Sequence, residues 1–178
     1  ISYRLVGSEM CIRDSYPVLM VDWHCAMAYA GWLADREGLP WRLLGELEWE
    51  KAARGVDGRH YPWGSHFDPT WCRMRRSAPG FVIPVVVDSY PVDVSPYGVR
   101  GMAGNVGDWC LESYPEGTPV KPDGRAEVQP QDASIKGNRG TRGGNWTNGA
   151  FWCRADIRKM LHSRTRRFDV GIRLARSL

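Results

Sequence analysis

Apolar positions fall at helical spacing near the start of the chain and in short, irregular runs after it. Trp23, Ala26, Met27, Ala30 and Leu33 form one face of a 3.6-residue repeat, which predicts a helix over Trp23–Glu37. Asp22 suits its N-cap, because a carboxylate accepts the amides left free in a first turn. Gly38 offers a left-handed stop and Pro40 prevents continuation. A second helix is predicted over Glu46–Arg54, with Glu46 and Glu48 at its positive end, Arg54 at its negative end and Gly55 beyond. Gly45, at the cap, has no side-chain acceptor, which costs about a few tenths of a kcal/mol.

Beyond Gly55 the texture changes. Six of the 12 prolines lie between Tyr61 and Gly98, where only Phe81–Val87 reads as a strand-like apolar run. Met102–Cys110 and Arg139–Trp146 read as turn-and-strand segments, and the alternation of Val170–Ala175 predicts a terminal strand. The polar stretch Glu116–Gly137 reads as a long surface insertion. Residues 1–15 follow neither period, and the string SEMCIRDS looks like translated sequencing-adapter sequence. They are expected to be a non-native leader to a domain over residues 16–178.

Composition sharpens this picture in two places. The chain has 178 residues, enough for one domain with a real core. Its 20 glycines and 9 tryptophans point to a loop-rich fold pinned by aromatics rather than a helical bundle. The net charge is +4, and the excess gathers between Arg154 and Arg176, where eight Arg or Lys face two Asp. With no zinc-finger spacing or aromatic-basic motif, that stretch reads as a basic edge with structural arginines, not a nucleic-acid surface. No apolar run reaches the ~18 residues of a membrane-spanning helix. Cys11, Cys25, Cys72, Cys110 and Cys153 form no CxxC, so free buried thiols and a cytoplasmic setting are expected.

Four segments, in order, carry a resemblance: PVLMVDWHCAMAYAGWL; WRLLGELEWEKAARG followed by YPWG; SPYGVRGMAGNVGDWC; and RGGNWTNGAFWCRADIR ending in VGIRLARS. They resemble the formylglycine-generating enzyme, or sulfatase-modifying factor, family. The resemblance implies an α+β, irregular C-type-lectin-like fold with two helices, small antiparallel sheets and many loops. It also implies that a further N-terminal portion is missing here. Leu44 and Gly45 stand where the family usually has Pro-Thr. Trp49, Asn105, Trp109, Gly143, Gly144, Cys153, Arg154, Arg158 and Arg173 are framework positions with structural roles.

The chemistry implied by the family is only partly present. Its oxidases bind copper(I) through two cysteines after the Gly-Gly, and soft thiolates suit that ion. Here only Cys153 follows Gly143-Gly144; Cys72 and Cys110 could join it only through space. Iron-dependent relatives take histidines from another domain, and His24, His60, His66 and His162 form no ligand pattern. A calcium site is the remaining metal expectation. Gly104, Val106 and Asp108 match three of its positions, while Gly101 stands where a further oxygen ligand is usual. The site most in view is a contact surface for an unknown protein or small-molecule ligand, formed by Trp146, Asn148, Phe151, Trp152, Lys159, Met160, His162, Arg164, Arg167 and Phe168. The closest flavour is the domain appended to bacterial serine/threonine kinases. A catalytic oxidase and a diversified variable protein of a retroelement are the alternatives.

Overall fold

The computed structural model describes residues 15–80, 82–111 and 137–176. Helix α1 spans Trp23–Glu37, as its apolar face predicts. Asp22 accepts from Cys25 N at 2.8 Å, and Gly38 stops the helix at φ 66°. Strand β1 (Trp41–Leu43) leads into α2 (Glu46–Arg54). Gly45 caps α2 without a side chain, but Glu48 Oε2 accepts from the Gly45 amide at 2.9 Å, so half of a capping box survives.

The remaining strands are short: β2 (Gly107–Trp109), β3 (Asn138–Arg142), β4 (Arg158–His162), β5 (Val170–Gly171) and β6 (Leu174–Arg176). They build a four-stranded sheet in the order β4-β3-β2-β5, antiparallel except for the parallel β2–β5 pair. A separate two-stranded antiparallel sheet joins β1 to β6. The expected terminal strand over Val170–Ala175 is therefore two strands in two sheets. The break falls at Ile172 and Arg173, where Arg173 turns in to bond Asp108 and Gly101.

The apolar run ending at Val87 is not a strand; residues 82–87 carry no ladder partner, and Phe81 lies outside the described residues. Asn105 takes the place of a neighbouring strand. Held at φ 57°, it accepts from Val85 N and donates to Val85 O, both at 3.0 Å, so one side-chain amide satisfies one residue's backbone on both sides. The expected insertion, over residues 116–136, lies outside the described residues.

The core is three clusters rather than one slab. Trp49 packs with Leu44, Ala53, Met102 and Cys110; Trp23 and Trp109 pack with Ala26, Leu43 and Val170; Tyr61 packs with Cys72, Met74, Ala103 and Cys153. The buried indoles also tie distant segments together. Trp23 Nε1 donates to Cys110 O (2.9 Å), Trp109 Nε1 to Val21 O (3.0 Å) and Trp49 Nε1 to Asp108 Oδ2 (2.9 Å). Each supplies a large apolar body and satisfies its one donor, which is how so little regular structure is held.

Candidate functional site

Two glycines set the site's geometry. Gly143 and Gly144 follow β3 at φ 90° and 65°. A Cβ on Gly144 would lie 2.5 Å from Trp152 O, so only glycine lets the turn approach the short 3-10 segment Ala150–Cys153. That approach sets Trp152 beside the open face of β3 and β4. Between them lies a cavity of about 230 Å3, bordered by Gly107, Gly144, Trp152, Lys159, Leu161 and Arg167.

Of the expected contact residues, Trp152, Lys159 and Arg167 line this cavity, Asn148 bonds Lys159, and Trp146, Phe151 and Phe168 lie off it. Lys159 is half-buried, donates to Asn148 Oδ1 and lies 4.6 Å from the centre of the Trp152 ring. Burial pushes its pKa down from the ordinary lysine value, partly opposed by the charge of Asp169. Arg167 grips the fully buried Asp169 with two bonds, at 2.6 and 2.7 Å. Trp146 packs on Phe168 (5.6 Å between centroids), and Phe151 meets Trp152 edge-on at 5.4 Å. Phe151, Trp152 and Phe168 remain 56, 41 and 54% exposed.

Met160, His162 and Arg164 do not join them. The expected loop is in fact β4, paired with β3 along its whole length. Alternation sends Lys159 and Leu161 to the cavity, while Arg158 reaches Glu46 on the α2 side. Met160 and His162 share the Arg158 side of that alternation, and Arg164 lies in the turn beyond, its amide donating to His162 Nδ1. Gly107 and Thr141, which the sequence reading missed, line the cavity because β2 and β3 form its floor. No local motif marks them; only the strand pairing does.

The framework positions are held by specific bonds. Arg154 makes a two-pronged pair with Asp156 (2.9 and 2.7 Å), and Arg158 reaches Glu46 at 3.4 Å. Arg173 bonds Asp108 at 2.9 Å. Arg166 and Arg167 pair with Asp22 and Asp169. Most of the basic charge between Arg154 and Arg176 is thereby neutralised within the fold.

The side chains bear on both metal readings. Asp108 Oδ2 is shared by the Trp49 indole and the Arg173 guanidinium. A calcium ion there would compete with that guanidinium for the carboxylate and needs six to eight oxygens. Cys153 does have a thiol neighbour, Cys72 rather than Cys110, and neither is exposed. The hydrogen bond with Cys153, followed by burial, pushes the Cys72 thiol far up, away from the thiolate that copper(I) requires. Cys110 belongs to another cluster, its thiol directed to Asp108 O.

Comparison with known proteins follows the same lines. The family described as "Sulfatase-modifying factor enzyme 1-like domain" matches residues 4–178. The formylglycine-generating enzyme of Thermomonospora curvata is 32% identical over 158 residues, covering 83% of this chain. The chain spans about half that enzyme's length (50%). The serine/threonine-protein kinase Pkn1 of Chlamydia trachomatis is 35% identical over 136 residues, 74% of this chain and 19% of the kinase. Among solved structures, PvdO from Pseudomonas aeruginosa superposes with a TM-score of 0.79 at 26% identity, over 92% of this chain and 63% of its own.

Proposed function

Since the chain belongs to the sulfatase-modifying factor enzyme 1-like domain family, we propose that it uses this fold to bind a small ligand, as a sensor or docking module, rather than to oxidise a cysteine. The carrying observation is the cavity beside Trp152, where Lys159, itself bonded to Asn148, and Arg167 meet the Trp152 ring. A concave site with apolar walls and a few convergent polar groups is the usual form of a small-molecule site. The similarity to the Chlamydia kinase supports a place as one module of a larger protein. Fragment screening by ligand-observed NMR tests the reading. Hits competing for one site and lost in Trp152→Ala support it; a library with no such hits overturns it.

The oxidase reading keeps one observation in its favour, the neighbouring thiols of Cys72 and Cys153. Their burial and the raised Cys72 thiol weigh against it. Incubating the domain with copper(I) and a CxPxR peptide is expected to leave the peptide cysteine unchanged. Turnover that disappears in Cys153→Ser would reinstate catalysis.

A further inference from the structure

We propose that the cavity beside Trp152 takes a small organic acid, whose carboxylate pairs with Lys159. This rests on the binding reading above and names the ligand class. Three cations border the cavity, and two are already committed. Arg142 lies 3.4 Å from Glu46 and 3.1 Å from Glu50, and donates to Ala155 O. Arg167 is held by both oxygens of Asp169. Lys159 differs. Its hydrogen-bond partner is the neutral Asn148 amide, its ring contact is Trp152, and among the described residues no carboxylate lies within ion-pair distance of it. An ammonium carries three donors, so further donor capacity remains after Asn148.

Asp169, the carboxylate whose charge reaches Lys159, is already bonded to Arg167 through both oxygens, so the half-buried ammonium is only partly compensated and a bound carboxylate relieves the remaining cost. The unpaired group is a lysine while both arginine forks are engaged. This favours a single carboxylate over a phosphate, because one ammonium balances a monoanion but not the roughly −1.5 to −2 charge of a phosphate group. The rest of the wall sets the ligand's body. Ile157, Leu161 and Val170 are apolar and Trp152 offers a ring face. A volume of about 230 Å3 exceeds the roughly 150 Å3 of a cavity that binds benzene. The ligand is therefore a compact aromatic or branched monocarboxylate.

Benzoate, benzamide and benzylamine share one body and differ in charge, so titrating each into the unmodified chain isolates the carboxylate. Tryptophan fluorescence and amide NMR shifts report the binding. The expected result is saturable benzoate binding at millimolar affinity, as suits so small a probe. Benzamide should bind at least ten-fold more weakly and benzylamine not at all. Lys159→Met should bring benzoate down to the level of benzamide. Equal binding of benzoate and benzamide, or preferred binding of benzylamine, overturns the acid assignment and leaves the cavity as a ligand site. No shift with any of the three also overturns it; the broader reading then stands or falls on the fragment screen. The charge series decides the question on the unmodified chain even if Lys159→Met fails to fold.

Discussion

Asp93 is buried with one oxygen satisfied and one not. Oδ2 accepts from Ala103 N at 3.0 Å, while Oδ1 has no partner among the described residues. Burial raises its pKa to about 7, against the pull of backbone amides and Arg173. The folded protein therefore holds a proton that the unfolded chain releases near pH 4. The stabilisation is full below the unfolded value of 3.8 and is lost as pH rises towards 7. Urea titrations from pH 4 to 8 should show wild-type stability falling relative to Asp93→Asn across that window. A constant difference between the two would show that Asp93 titrates normally. Asp108 behaves differently, because its carboxylate holds both Trp49 and Arg173. Asp108→Ala leaves an indole donor and a guanidinium without their acceptor. A loss of about 3 kcal/mol is expected in denaturant unfolding, and calcium should not change it.

At the scale of elements, the site depends on the Gly143-Gly144 turn. Gly144→Ala places a methyl group 2.5 Å from Trp152 O at a φ of 65°. A cost of about 2 kcal/mol or more is expected in unfolding, along with altered Trp152 fluorescence as the ring leaves the cavity edge. Both helices were legible in the sequence to the residue, because apolar spacing and caps are local signals. The strands were less so. The run ending at Val87 looked like a strand but is satisfied by the Asn105 side chain, and side-chain substitution for a strand leaves no periodic trace. Lys159–His162 looked like loop because β4 is only half-buried, so its alternation is weak. Gly144, Trp152 and Lys159, which border the cavity, were singled out from sequence. Gly107 and Thr141 were not, since pairing between distant segments makes them lining residues.

Across the whole molecule, two of the three buried clusters hold cysteine thiols apart from solvent, Cys110 in one and Cys72 with Cys153 in the other. Among the four described cysteines, Cys25 is exposed, while Cys72, Cys110 and Cys153 are buried. A thiol reagent is expected to modify Cys25 in the native protein and the other three only on unfolding. Rapid native labelling of Cys153 would place it at an open site instead. The fold's two sheets also share a dependence. β5 completes the larger sheet beside β2, and β6 completes the smaller beside β1, although these partners lie far apart along the chain. Both closures come from the same short stretch, Val170–Arg176. During translation, β1 and β2 leave the ribosome well before β6 and β5 exist. Leu43 and Trp109 lack their contacts with Val170 and Leu174 until then, so both sheets close only once Val170–Arg176 has emerged.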